Sequence, residues 1–530
     1  MKIFKPFALI ILGMLIMNSC QKGNLVDNPN ISVTGSFIPL SLILNHLTSN
    51  LVRSDEKPWG GAYNYGQYWL SNYAYYRGPN SYNWTTSEDT YDVLEYAIQL
   101  QNQVKTQFPI NYKLSAYYGL SLFFEAYAGI WTSQRIGDIP YSFAGNANNL
   151  TPKFDAQHDV YKLALARLDS ANTVFNNANA SPNGNLSSAG DVLFSGVGAS
   201  AILGGKWQKV INSYTLRVLI SLSKRSVDNA DLNIPGKFSN ILSNPTTYPI
   251  LGSNSDNLTY LFNTINPYPI KARGNQPYNN YANMNQTFIS ILSSNQDPRI
   301  FLFATPAPAQ LSAGKAYSDF TAFVGADISQ AQTAIIANNY SYANGARYYN
   351  TIDGTTADPF IIIGYPEMCL NIAEGINRGW VTGLSSSTFY KNGVNASLSS
   401  LGLTDGESLS VSDLGGKSLG NVNISFPNFK NNPNVLYAGD NATGLSQILI
   451  QKYIAYFNNS GYEGFYQWRR TGIPNFTQGN PGVGTSTGNI PLRWQISSLD
   501  QTYNSTNYTS SITAQFGGTD DITKPTWLTK

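Results

Sequence analysis

Apolar residues recur at helical spacing in eight separate stretches of this chain. The first opens at Ser87-Glu-Asp-Thr-Tyr-Asp and continues through Val93, Leu94, Ala97, Ile98 and Leu100. A capping serine followed by early acids suits the positive end of a helix. A second helix is predicted from Tyr112 to about Ile130, with Ala116, Leu120, Phe123, Phe124 and Tyr127 on a broad apolar face. Val160, Leu163, Ala164, Ala166 and Leu168 predict a third, and Trp207, Val210, Ile211, Tyr214, Leu216, Val218, Leu219 and Leu222 a fourth. The same period returns over residues 367–377, 389–398, 446–457 and 463–470. Between Pro235 and Phe360 it fades, and Asn, Pro, Gly, Tyr and Ser dominate. Long irregular stretches of that kind often carry binding function. The pattern therefore predicts a mainly α fold of paired helices interrupted by a loop-rich insertion at about 235–360. Paired short helices suggest a helical-repeat scaffold, although no clean fixed-period consensus is present.

The first twenty residues follow a different logic. Lys2 and Lys5 precede the apolar run Phe7-Ala-Leu-Ile-Ile-Leu-Gly-Met-Leu-Ile-Met17, which ends at Asn18-Ser19-Cys20. A basic start, a short apolar core and a small residue before the cut are the parts of a secretory signal. The run falls short of the roughly 20 apolar residues that span a bilayer. A buried N-terminal helix is the competing reading, and the basic, uncapped start argues against it. The segment resembles a bacterial lipoprotein signal, with Met17-Asn18 departing from the commonest Leu-Ala form. That resemblance implies a signal peptide over 1–19, acylation of Cys20 (a palmitate-type anchor) and a flexible tether over 20–35. Gln21-Lys22 is similar to the surface-export signal of some Bacteroidetes lipoproteins. Several acyl chains on one terminus anchor stably where a single chain does not. Cys369, left without a partner, is expected to be a buried small hydrophobe rather than half of a disulfide.

Composition narrows the ligand more than the fold. Charged residues make up 12% of the 530, about half the usual share. Lys and Arg number 33 against 31 Asp and Glu, so no basic nucleic-acid surface is indicated. Polarity comes instead from amides and hydroxyls, with 35 tyrosines. That combination suits an uncharged, hydroxyl-rich ligand, because rings stack and amides donate and accept without a charge to desolvate. It also suits extracellular proteins generally.

Catalytic chemistry finds little support. The two histidines, His46 and His158, sit in no zinc-binding spacing, and neither a G-x-S-x-G elbow nor a phosphate-cradling loop is present. No cofactor is therefore expected, and whether a structural metal is bound stays open. A glycoside hydrolase would need two carboxyl groups across a sugar bond. The acids adjacent in sequence are Asp55-Glu56, Glu88-Asp89 and Asp520-Asp521. Adjacent acids more often cap helices or face solvent.

Four stretches then carry a resemblance. They are Trp131 with Arg135-Ile-Gly-Asp-Ile-Pro-Tyr-Ser142; Gly204-Gly-Lys-Trp207 through Ser213-Tyr-Thr-Leu-Arg217; Tyr365-Pro-Glu-Met-Cys-Leu-Asn-Ile-Ala-Glu374-Gly-Ile-Asn-Arg378-Gly379 with Phe389-Tyr390-Lys-Asn-Gly393; and Gln451-Lys452 through Gly461-Tyr-Glu463-Gly-Phe-Tyr-Gln-Trp468-Arg469-Arg470-Thr471-Gly472-Ile-Pro474. In this order they resemble the SusD/RagB-like nutrient-binding lipoproteins of the Bacteroidetes. The resemblance covers the chain nearly end to end and fades after Trp494. It implies one α-helical binding domain over 36–530, built from four tetratricopeptide-like helix pairs with large irregular loops. It also implies a non-enzymatic outer-membrane surface protein that captures oligosaccharide and passes it to a SusC-like TonB-dependent transporter. A peptide ligand, or an adaptor role without any ligand, are the alternatives. The motifs themselves read as architecture. Asp138 is placed to accept backbone amides after a helix stopped by Pro140, and Glu374 and Arg378 are spaced i,i+4 for pairing. Glu463, Arg469 and Arg470 are expected to form an ion network.

The densest aromatic stretch runs from Trp59 to Trp84. Tyr65, Tyr68, Trp69, Tyr73 and Tyr76 recur at helical spacing and are expected to pack inward. The Gly78-Pro79 break favours an exposed loop beyond it. There Tyr82 or Trp84 would stack on the C–H face of a sugar while Arg77 and Asn80 meet its hydroxyls. Relatives in the resembled family also place contacts in the middle loops, where Tyr278, Asn279 and Tyr281 repeat the same chemistry. Core or loop packing competes with ligand contact at each of these positions.

Overall fold

Each helix predicted from periodicity has a counterpart in the computed structural model, which describes residues 37–73, 82, 84, 88–145, 148–180, 186–194, 201–270, 281–348, 358–478 and 489–530. Twelve helices of nine or more residues occur among them: α1 Leu40–Ser49, α2 Tyr91–Gln107, α3 Ala116–Ile136, α4 Gln157–Asn179, α5 Ala201–Ser221, α6 Ile234–Ser243, α7 Gln286–Ser294, α8 Tyr365–Asn377, α9 Ser386–Ser400, α10 Ala442–Ala455, α11 Glu463–Thr471 and α12 Ser505–Phe516. Consecutive helices pack as the pairs α2/α3, α4/α5, α8/α9 and α10/α11, with α3 lying on α4, and α8 on both α5 and α10. The result is the mainly α, paired-helix scaffold expected, and Leu40–Lys530 forms one compact unit.

Local chemistry sets the helix ends. The second helix starts at Ala116 rather than Tyr112, because Tyr112–Leu114 makes a tighter single turn first. At its far end Gly137 takes φ +97°, a conformation open to glycine, and the Asp138 carboxylate accepts the Gln157 amide at 2.8 Å. Burial pushes the Asp138 carboxyl up to about 6, against that hydrogen bond. Asn441 caps α10 by accepting the Gly444 amide at 2.9 Å, and Ser385 caps α9 through the Thr388 amide. Cys369 is a free thiol in the core of α8, and burial raises it to about 12.

The expected ion network exists with different members. Glu374 is fully buried and accepts Arg470 Nη1 at 2.5 Å, Lys452 Nζ at 2.6 Å and Arg378 Nη2 at 2.8 Å. Arg217 donates through Nε to Glu367 at 2.6 Å and through Nη2 to the Ile362 carbonyl at 2.7 Å. Arg469 donates to the carbonyls of Leu492 and Gln134 at 2.8 and 2.9 Å. Glu463 lines a small enclosed cavity together with Arg217, Gln134 and Tyr466. Thus Glu463, Arg469 and Arg470 do not pair with one another, because each faces a different neighbouring helix. Three of the four family-like stretches meet through these contacts: Arg217 with Glu367, and Glu374 with Lys452 and Arg470.

Short antiparallel ladders stitch the insertion to the scaffold. β2 (Leu258–Tyr260) pairs with β4 (Phe360–Ile363), and β1 (Trp69–Ser71) pairs with β3 (Ala282–Met284). A hairpin of β5 (Ser408–Ser412) and β6 (Ser418–Asn423) and the C-terminal α12 lie outside the predicted elements. The aromatic stretch after Trp59 is not one helix. A single helical segment, Gly61–Tyr65, ends at Gly66, Gln67 takes φ +55°, and the chain enters β1. Tyr65, Tyr68 and Trp69 are buried as expected, whereas Tyr73 is 43% exposed; Tyr76 lies outside the described residues.

Candidate ligand-binding edge

The β1–β3 ladder joins the two stretches that the sequence nominates for ligand contact. Trp69 faces Met284, Leu70 faces Asn283 and Ser71 faces Ala282. Beyond the last pair the Asn72 amide donates to the Tyr281 carbonyl at 2.8 Å. Asn72 Nδ2 donates to Asn283 Oδ1 at 2.7 Å in a buried contact, which fixes the register where a slip would turn every side chain over. Just past it the rings of Tyr73 and Tyr281 stack, with centroids 4.8 Å apart and planes at 22°. Tyr73 is exposed and Tyr281 half-buried. Ser71 holds the turn: its hydroxyl donates to the Tyr73 carbonyl at 3.1 Å and accepts the Tyr73 amide at 3.2 Å.

Tyr68, immediately before β1, enters a buried aromatic cluster. Tyr68 stacks on Tyr453 at 4.4 Å and packs against Phe288 and Phe457. The Tyr68 hydroxyl donates to the Tyr453 carbonyl at 2.8 Å, and the Tyr453 hydroxyl donates back to the Gly66 carbonyl at 2.8 Å. Trp59 donates its indole N–H to the Tyr268 hydroxyl at 3.0 Å. The Tyr73–Tyr281 pair stands at the end of the ladder, with Tyr73 43% exposed and Tyr281 half-buried. That arrangement suits stacking against a sugar ring at small entropic cost.

Of the residues nominated from sequence, only Tyr281 sits at this edge among the described residues. Arg77, Asn80, Tyr278 and Asn279 lie outside the described residues, as does Cys20. Tyr82 and Trp84 are not on an exposed loop; each is 1% exposed. Trp84 stacks on Trp494 at 3.8 Å and meets Phe465 edge-on, so its faces are already covered. Tyr82 packs on Tyr65 and donates its hydroxyl to the Tyr65 carbonyl at 3.3 Å. Trp84 is covered by Trp494 and by Phe465 of α11, hundreds of residues away, and Tyr82 by the helical segment Gly61–Tyr65, so the Gly78-Pro79 break does not predict their exposure. Tyr73, expected to pack inward, is exposed at this edge. Its helical spacing from Trp69 and Tyr76 suggested core, but β1 replaces the helix and carries it outward.

One acid of each adjacent pair is held by a neighbouring group. Glu56 is buried, accepts the Trp131 indole at 2.9 Å and lies 3.6 Å from Arg135; burial raises its carboxyl against both contacts. Asp89 accepts the Tyr91 amide at the start of α2, and Asp520 meets Arg493 at 2.5 Å. His158 bridges Asp159 and Asp231 at the surface. No group of three or more His, Cys, Asp and Glu that could hold a metal occurs among the described residues. No helix among the described residues is long and apolar enough to cross a membrane.

Residues 30–496 match the SusD-like family described as starch-binding and associating with the outer membrane, and the chain belongs to that family. Its fold is similar to a SusD homologue from Bacteroides fragilis, 26% identical with TM-score 0.76, over 93% of this chain and 100% of that one. A second B. fragilis SusD homologue is 27% identical with TM-score 0.72, over 93% and 99% of the two chains. A chitin-binding SusD homologue from Flavobacterium johnsoniae shares the fold at 18% identity and TM-score 0.64, over 92% and 98%. No curated protein matches the chain.

Proposed function

We propose that this protein is a cell-surface lipoprotein that captures oligosaccharide and passes it to a SusC-like TonB-dependent outer-membrane transporter. The Tyr73–Tyr281 pair carries the reading: a ring stack whose Tyr73 is 43% exposed, joining both stretches expected to meet ligand. Membership of a starch-binding family and likeness to a chitin-binding homologue support a glycan as the ligand class. In this reading residues 1–19 are removed as a signal, Cys20 is acylated, and the segment to about residue 35 tethers the helical domain to the membrane. The protein binds and delivers; it performs no chemistry on the sugar.

Calorimetric titration with maltohexaose, chitohexaose and a mixed peptide pool tests the capture step. Binding of a glycan that weakens in Tyr73→Ala and Tyr281→Ala supports it, whereas binding of peptide alone replaces it with the peptide reading. Anchoring is tested separately by fractionating cells that express Cys20→Ala, which should release the protein from the membrane.

A further inference from the structure

A second surface groove, formed from different elements, has the chemistry of a saccharide site. It opens over α9 and has a volume of about 680 Å³, within the roughly 300–1,000 Å³ typical of small-molecule sites. Its floor is one face of that helix, where Asn392, Asn395 and Ser399 follow at i, i+3 and i+7. The turn Ser253–Ser255 forms one wall. Asn254 fastens that turn to the helix, donating from Nδ2 to the Ala396 carbonyl at 2.9 Å and to Ser399 Oγ at 3.0 Å. The short helix Phe426–Lys430 lines the groove with Phe426, whose ring lies 4.8 Å from the Lys430 ammonium. Tyr365, the first residue of α8, adds a second ring.

This lining selects a ligand class. Among the described residues that line it, Lys430 is the single cation and none is a carboxylate. A polyanion would want several cations and an amine would want an acid, so neither finds its partner here. The amides of Asn392 and Asn395 each donate and accept, which matches vicinal sugar hydroxyls that do both, whereas the hydroxyls of Ser253, Ser255 and Ser399 are engaged with neighbouring groups. The rings of Tyr365 and Phe426 offer apolar faces for C–H groups. The groove is shallow and widely open to solvent, so a chain longer than it can extend beyond its rim.

We infer that this groove is a second binding site for a short neutral oligosaccharide, sharing no residue with the Tyr73–Tyr281 edge. Two sites on one body would hold a single glycan chain at two points or retain a second one nearby, raising its local concentration.

The test is hydrogen–deuterium exchange on the intact protein with saturating maltohexaose and, separately, chitohexaose. Slowed exchange over residues 392–399 and 426–430 with at least one glycan is expected, and it should persist in the Tyr73→Ala/Tyr281→Ala variant. Asn392→Ala/Asn395→Ala should lose that protection and weaken binding at the groove by about tenfold, the effect of two lost hydrogen bonds, with an unchanged melting temperature. Protection at residues 69–73 and 281–284 alone overturns the groove and leaves the proposed function standing. Protection at the groove alone supports this inference and removes the capture role from the tyrosine pair. No protection over residues 392–399 with either glycan overturns it.

Discussion

Trp84 lies flat on Trp494, the ring centroids 3.8 Å apart and the planes 5° from parallel. This contact ties the early aromatic stretch to the chain beyond α11. The backbone repeats it, since the Gln495 amide donates to the Trp84 carbonyl and the Trp494 amide to the Arg135 carbonyl, each at 3.0 Å. The Arg135 guanidinium sits between the rings of Trp131, Tyr462 and Trp494 at 3.7, 4.4 and 4.8 Å. A cation enclosed by aromatic faces is stabilised by their quadrupoles in place of water.

Trp84→Ala should therefore act on stability rather than on ligand affinity. Removal of a buried tryptophan costs about 3–5 kcal/mol, measurable as a lower midpoint in urea unfolding. A variant of unchanged stability with lost glycan binding would return Trp84 to the ligand surface.

Tyr73→Ala and Tyr281→Ala should show the reverse. Tyr73 is 43% exposed, so its truncation should leave the unfolding midpoint nearly unchanged. Loss of one stacking face weakens a bound sugar by about 1 kcal/mol, five- to tenfold in affinity. Titration calorimetry of each variant against maltohexaose and chitohexaose reads this directly.

Glu374 should be the most sensitive charge in the scaffold. Burial by itself would raise its carboxyl, but Arg470, Lys452 and Arg378 overcome that and hold it well below the usual carboxylate range. Its folded value lies below its unfolded one, so its contribution is complete above about pH 4.3. It is lost as pH falls through the depressed folded value. Glu374→Gln should cost about 3–5 kcal/mol at pH 7, because three cations then lose their buried counter-charge. Urea denaturation at pH 7 and pH 3 should show the gap between variant and parent closing at the lower pH.

Glu463 should behave in the opposite sense. Burial raises its carboxyl to about 7, with Arg217 opposing and Glu367 adding to the shift. The folded protein holds this proton more tightly than the unfolded chain, so stability falls as pH rises from about 4.3 to 7 and is level above that. Glu463→Gln copies the protonated form and should remove this component of the slope. Unfolding midpoints at pH 5, 6, 7 and 8 for parent and variant measure it; parallel curves would show that Glu463 does not titrate in this window.

Much of the scaffold is legible in the sequence because helices are local. Period 3.6 places Leu120, Phe123, Phe124 and Tyr127 on one face of α3, and i,i+4 spacing brings Arg378 to Glu374 without knowledge of any other element. The four family-like stretches give the order of the helix pairs, and three of them prove to meet through buried charges. Aromatic abundance and low charge suit an uncharged, hydroxyl-rich ligand, a reading the glycan titrations test.

Tertiary structure decides what covers each apolar face. Trp84 and Tyr73 are both aromatic residues of the same stretch, yet one is sealed by Trp494 and the other is turned outward past β1. Neither outcome is visible locally, since it depends on partners hundreds of residues away and on Gly66 and Gln67 ending a helix early. The choice of Glu374 over Glu463 as the partner of Arg470 follows from the packing of α8 against α10, and of α10 against α11. A sequence period states which side of an element seeks cover; only the packed chain supplies the surface that covers it, or turns a ring such as Tyr73 toward the surface.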